Sequence, residues 1–136
     1  MTKAELAALA VKATERSYAP YSHFNVGAAL LCADGTVFLG ANIENAAYSV
    51  TCCAERVALF SAIAAGKREF TAIAIAGGRD GRIEGACAPC GVCRQALSEF
   101  CDPKLDVVLA LPEGEYETYT LSELLPKSFG PKSLGK

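Results

Sequence analysis

No run in this sequence approaches the roughly 20 consecutive apolar residues that a membrane-spanning helix requires. Nor is its positive charge gathered into a stripe or tail, since the 13 lysines and arginines are scattered among 15 acidic residues for a formal net charge of −2. The first absence excludes a helical membrane span. The second argues against a surface for a polyanion, so neither a membrane nor a nucleic acid is an expected partner. No basic segment followed by an apolar stretch opens the sequence, and a soluble, cytoplasmic protein is the expectation. Internal repeats and low-complexity segments are also missing. Histidine occurs once, as His23, beside a strand-like segment and facing away from it, which reads as a non-catalytic position.

What is present is a chain of 136 residues, 51% hydrophobic, with seven cysteines. That length buries one sizeable core and is short for two domains. An odd cysteine count without a secretory signal argues against a disulfide framework and for metal binding or catalysis. Four of the seven, Cys32, Cys52, Cys87 and Cys101, read as packing residues, because a free cysteine commonly behaves as a small hydrophobe.

Helical spacing of Leu6, Leu9, Ala10 and Ala13 predicts a helix over 3–16. Alternation from Phe24 to Leu30, the Asp34-Gly35 turn and the apolar run from Val37 to Ile43 predict a hairpin. A helix over 53–65, a buried strand over 70–76, a glycine-rich loop over 77–85, a helix over 91–100 and a strand over 105–111 follow. Residues 115–120 could add an edge strand and 121–125 a short helix. Helix and strand alternation after an opening hairpin predicts an α/β fold, a three-layer α/β/α sandwich around a mixed sheet of about five strands. One domain is expected over 1–129, with a flexible tail over 130–136.

Cys53-Ala54-Glu55 and Pro89-Cys90-Gly91-Val92-Cys93 each fall where a loop gives way to a predicted helix. Cysteines three apart share a helix face, so Cys90 and Cys93 can grip one metal ion while Cys53 supplies a third thiolate. Helix N-termini carry partial positive charge and favour thiolates. Three protein ligands leave one tetrahedral position for a water acidified by zinc, and Glu55 is close enough to take and return its proton. A closed site of Cys53, Cys87, Cys90 and Cys93 is the rival reading, weakened because Pro89 puts Cys87 outside the helix. A ferredoxin-type cluster would need a cysteine where Leu97 stands, and a thioredoxin-like pair of Cys90 and Cys93 leaves Cys53 and Glu55 unexplained. Asn42 and Glu44, two apart on an extended segment, point to one face and can form a polar clamp for a sugar hydroxyl. A carboxylate there would repel a phosphate.

The pattern C-A-E…P-C-G-V-C matches the three-cysteine variant of the zinc deaminase signature. Through Tyr18-Ala-Pro-Tyr-Ser-His-Phe-Asn-Val-Gly-Ala-Ala29, Gly40-Ala-Asn-Ile-Glu-Asn-Ala-Ala-Tyr48, Cys53-Ala-Glu-Arg56 and Pro89-Cys-Gly-Val-Cys-Arg-Gln95, the chain resembles the small, tetramer-forming cytidine deaminases along nearly its whole length. The resemblance implies a hydrolase of pyrimidine salvage that converts cytidine and 2′-deoxycytidine to the uridines plus ammonia, with one zinc per chain. It implies that Asn42 and Glu44 bind the ribose 3′-hydroxyl, and that Arg56 donates hydrogen bonds to the ligand thiolates. Phe24, a core position by alternation, is placed against the pyrimidine, with Tyr48 a candidate for the pocket wall. The backbone of Ala54, between ligand and acid, is well placed to touch the base. Phe129 would cover the nucleoside of a neighbouring chain in a homotetramer with shared active sites, a reading helped by how little chain remains to bury this aromatic. A blasticidin-type deaminase and a non-enzymatic zinc module are the alternatives.

Overall fold

Thr2 opens the first helix. Its hydroxyl accepts from the Glu5 N–H at 3.1 Å while the Glu5 carboxylate reaches back to the Thr2 N–H, a reciprocal cap that satisfies two otherwise free donors. The computed structural model describes residues 1–136, and helix α1 occupies Lys3–Ala13 before tightening into a 3-10 turn over Thr14–Arg16. Strands β1 (Phe24–Cys32) and β2 (Val37–Ala41) follow as a hairpin, and then α2 (Ala54–Ala64), β3 (Phe70–Arg79), α3 (Gly91–Phe100), β4 (Asp106–Ala110), β5 (Tyr116–Thr120) and α4 (Leu121–Leu124). The hairpin turns through Gly35 at φ 92, a left-handed conformation that glycine adopts without steric cost.

The five strands lie in the order β2-β1-β3-β4-β5. Only β3 and β4 run parallel; α3 connects them as the crossover, while every other pair is antiparallel. The sheet is therefore mixed and five-stranded, as expected. Strand pleating sends Ile73 and Ile75 to one face, and Ala72, Ala74 and Ala76 to the other. The face with the larger side chains packs α2, α3 and α4 through Leu30, Leu59, Leu97, Val107 and Leu121; burying each such side chain contributes about 1.5 to 3 kcal/mol. Small residues on the opposite face let α1 lie close, and a Cβ on Gly27 would sit 2.2 Å from the Ala10 carbonyl oxygen. No helix is long and apolar enough to cross a membrane.

Two boundaries differ from the sequence-based expectation. Strand β3 continues through Gly77 and Gly78 to Arg79, paired with Val26, Asn25 and Phe24 of β1, where a loop was expected. A Cβ on Gly78 would come within 1.7 Å of the Arg82 carbonyl oxygen, and one on Gly77 within 2.7 Å of the Cys87 sulfur. These glycines serve close packing, not a turn. Strand β2 stops at Ala41, yet Ile43 forms isolated bridges with Tyr18 and Cys52, so the extended path continues beyond the sheet. In the tail, Pro131–Leu134 form an exposed 3-10 turn that ends at Gly135 with φ 76.

Candidate metal centre and substrate cleft

Gly40 sets the depth of the site. A Cβ there would lie 2.3 Å from the Ala54 carbonyl oxygen and 2.6 Å from the Ala58 nitrogen, so only glycine allows the first turn of α2 to rest on β2. Cys53 is the N-cap of α2 and Cys90 the N-cap of α3, both in extended backbone and neither using its side chain to cap its helix. Their carbonyls take the first helical bonds, from Arg56 and Val57 in one case and Arg94 in the other. The sulfurs are thus left free to converge with that of Cys93, one turn into α3.

Converge they do. The three sulfurs lie within 4.8 Å of one another, with Cys53 and Cys90 3.8 Å apart. A tetrahedral zinc with Zn–S bonds of about 2.3 Å requires sulfurs about 3.8 Å apart. Arg56 supplies the opposing charge. Its Nη2 donates to the Cys53 sulfur at 3.5 Å, and its buried Nε has no partner among the protein atoms. The Cys53 thiol is drawn down to about 5, chiefly by a hydrogen bond from Cys93, with Arg56 and Cys90 adding to it; Cys93, as the donor in that pair, is pushed up. Three thiolates around a divalent cation leave one net negative charge, which the guanidinium balances. The soft donor set fits a zinc ion well, with the guanidinium placed to hold the ligand thiolates.

Cys87 is outside this group. It packs partly buried against the main core, close to Gly77 and to the ring of Phe24, and burial pushes its thiol up to about 11. The closed four-cysteine arrangement is not formed. Cys32 and Cys101 are buried in the main core, as a packing role requires.

Glu55 is 4% exposed and does not belong to the sulfur cluster. Burial, helped by the negative charge of Cys53, pushes its carboxyl up to about 7. A carboxyl poised there can both take and give a proton near neutral pH. Ala54 is fully buried and its carbonyl faces Gly40, so its N–H, one of the first-turn donors without an intrahelical partner, is what it can offer a base.

The clamp residues are stitched beside the metal helix. Ile43 exchanges both backbone bonds with Cys52 at 2.9 Å, and Tyr18 bonds to the backbones of Asn42 and Glu44 on either side. Asn42 is buried; its Nδ2 donates to the Phe24 carbonyl and its Oδ1 accepts from the Val26 N–H, both at 2.9 Å. Glu44 Oε1 accepts from the Tyr21 and Ser22 N–H groups at 2.9 and 3.1 Å, and Oε2 accepts from the Ser22 hydroxyl. With Tyr21, Ser22, Tyr48 and Thr51, Glu44 lines a cleft of about 370 Å³. Phe24 and Tyr48 are both exposed, and Tyr48 meets Tyr21 edge-on at 6.0 Å between ring centroids. Phe129 is 60% exposed, its carbonyl held by Gln95 Nε2 at 2.9 Å.

Three contributors were not assigned roles from sequence. Ser22, Arg94 and Gln95 all lie inside the motifs that carried the resemblance, but polar residues in loops and on helices give no sign of their partners. Arg94 donates to the Pro89 carbonyl at 2.7 Å and to the Leu124 carbonyl at 2.6 Å, tying the loop before Cys90 to the C-terminal segment. His23 has φ 57 and contributes its backbone, donating to Ala19 and accepting from Asp80.

The family model for the cytidine and deoxycytidylate deaminase zinc-binding region matches residues 1–109. The chain is 46% identical over 130 residues to a cytidine deaminase of Sporosarcina psychrophila, covering 96% of this chain and 93% of that protein. It is 48% identical to one of Halalkalibacterium halodurans over 120 residues, 88% of each. Among solved structures, a cytidine deaminase from Burkholderia pseudomallei superposes with a TM-score of 0.87 at 50% identity, covering 95% of this chain and all of that one. One from Mycobacterium tuberculosis gives 0.79 at 36%, covering 93% and 95%.

Proposed function

The chain belongs to the cytidine and deoxycytidylate deaminase family, and on that footing we propose that it hydrolyses free cytidine and 2′-deoxycytidine to uridine and 2′-deoxyuridine with release of ammonia. The observation that carries this reading is the buried Glu55 carboxyl set two residues from Cys53, beside three convergent sulfurs and outside their ligand set.

Cys53, Cys90 and Cys93 would hold the zinc ion, which when bound supplies Lewis-acid activation of the attacking water. Glu55 accepts that water's proton and delivers it to the ring nitrogen next to the amino-bearing carbon of cytosine. The water oxygen forms its bond to that carbon; the proton of the resulting hydroxyl then passes through Glu55 to the amino nitrogen, the carbon–nitrogen bond breaks to release ammonia, and the carbon–oxygen bond becomes the carbonyl of the product. Arg56 holds the ligand thiolates. The Ala54 N–H faces the base, while Phe24 and Tyr48 flank it.

Asn42 and Glu44 orient the ribose through its 3′-hydroxyl. Both keep acceptor capacity beyond their internal bonds, since a carboxylate offers about four lone-pair sites and an amide oxygen two. A carboxylate at this place disfavours a 5′-nucleotide or a polymer, in keeping with a sequence of net charge −2 and no basic cluster. The reading extends to a cytoplasmic enzyme of pyrimidine salvage, working as a homotetramer in which Phe129 of one chain closes the site of the next. Support for assembly is an aromatic ring left 60% exposed at the end of a segment fixed to α3.

The test is zinc analysis joined to a substrate panel. About one zinc per chain and loss of cytidine absorbance are expected. 3′-Deoxycytidine should be poorer than 2′-deoxycytidine by at least about 5-fold in kcat/KM, because the hydrogen bonds between the 3′-hydroxyl and the Asn42–Glu44 pair are lost. Equal use of the two analogues would remove the clamp, and preference for a blasticidin-type substrate would replace the nucleoside assignment.

A further inference from the structure

A hydroxyl outside the assigned site residues bonds to two of the residues proposed to contact the substrate. Ser22 Oγ donates its single proton to Glu44 Oε2, and the same oxygen accepts the N–H of Phe24 at 3.0 Å. The direction of this chain is fixed by chemistry. A backbone N–H can only donate and a carboxylate can only accept, so the group between them has to do both, and a hydroxyl does so with one atom. On its other side the Phe24 carbonyl accepts from Asn42 Nδ2. The backbone of Phe24 is thus held at its N–H through Ser22 and Glu44 and at its carbonyl by Asn42.

His23, between Ser22 and Phe24, has φ 57. The Asp80 N–H bonds to the His23 carbonyl at 2.7 Å, anchoring the turn to the far end of the sheet. The Ser22 hydroxyl is also the largest of the influences that hold the Glu44 carboxyl below its usual range.

We propose that Ser22 is a positioning residue for substrate binding: its hydroxyl joins the sugar-binding carboxylate of Glu44 to the backbone of Phe24, so that ribose and base are located by one hydrogen-bonded unit. This rests on the assignment of Glu44 to the sugar and Phe24 to the base made above. Removing the hydroxyl leaves one Glu44 acceptor and the Phe24 N–H without each other's mediator. Glu44 Oε1 keeps its two backbone donors, so the loop itself remains tied. The loss therefore falls on the alignment of the two ends.

Ser22→Ala should raise KM for cytidine roughly 5- to 20-fold, as expected for one charge-assisted hydrogen bond, with the smaller part of the effect in kcat and zinc content unchanged. Ser22→Thr, which keeps the hydroxyl, should restore KM to within about threefold. The decisive measurement is a double-mutant cycle with Glu44→Gln. If Ser22 acts through Glu44, the paired variant should be at least about threefold better in KM than the product of the single effects. Additive effects, or a Ser22→Ala KM equal to wild type, overturn the relay while leaving the sugar clamp standing. A Glu44→Gln enzyme with unchanged KM overturns the clamp itself and the relay with it. Should Ser22→Ala not fold, Ser22→Cys, near in size with a weak donor, takes its place and is expected to raise KM in the same way; an unchanged KM there overturns the relay.

Discussion

At the proposed metal end three sulfurs crowd together beside a buried guanidinium N–H that lacks any protein acceptor, whereas at the proposed sugar end both side-chain polar atoms of Asn42 and both oxygens of Glu44 already have protein partners. In the first arrangement the three sulfurs can ligate a cation while the guanidinium and the helix N-termini stabilise their thiolate forms, and a glycine contact supports it from below. The second is preorganised by its own hydrogen bonds and stands partly in solvent. Changes at the metal end should therefore act almost as all or nothing, through chemistry or metal retention. Changes at the sugar end should be graded and appear mainly in KM.

The sharpest division comes from Glu55→Gln. Turnover should fall by at least about 10³-fold, because the proton shuttle is lost, while roughly one zinc per chain is retained, since no ligand is removed. Near-normal turnover would take Glu55 out of the mechanism.

Paired thiol variants divide the metal end further. Cys53→Ser should lose both zinc and activity, since it removes one of three ligands; Cys87→Ser should keep both, its sulfur lying beside Gly77 and outside the converging group. Matching zinc losses in the two variants would restore the four-cysteine site that the geometry excludes.

Gly40→Ala tests whether the support beneath α2 matters. A methyl 2.3 Å from the Ala54 carbonyl cannot be absorbed by a flexible side chain, and overpacking of this kind costs about 1 to 3 kcal/mol. Denaturant titration should show the lower stability, accompanied by weaker zinc binding as the Cys53 helix start is displaced. Unchanged stability would mean that α2 yields freely and does not fix the ligand.

The smallest effect belongs to the exposed rim. Phe129→Ala should raise KM several-fold with zinc unchanged, about what losing one aromatic contact of 0.5 to 1.5 kcal/mol would cause. Light scattering should give a mass near four chains. A fully active monomer would end the shared-site reading.

The ligand triad was legible because its logic is local. Cys90 and Cys93 share a face by helical periodicity, each motif follows a loop and starts a helix, and Glu55 stands two residues from Cys53. The strands themselves were nearly as legible, since alternation and turn chemistry mark strands without knowledge of their partners, but their order in the sheet was not. The glycine pair Gly77-Gly78 misled for the converse reason. Glycines read locally as a loop, but here each is demanded by a neighbour, Cys87 or Arg82, that the strand brings over it.

By itself, then, the sequence determined which residues could carry the chemistry: three thiols, one carboxyl, a guanidinium and an amide–carboxylate pair. Only the tertiary structure decided which of these groups meet. It excluded Cys87 from the sulfurs, turned the Ala54 carbonyl towards Gly40, and brought the Glu44 carboxylate 22 residues along the chain to the Ser22 hydroxyl. Such pairings are closed by strand register and by the bridges of Ile43 to Tyr18 and Cys52. Those contacts form only once distant segments are packed, and they leave no periodic trace in the chain that makes them.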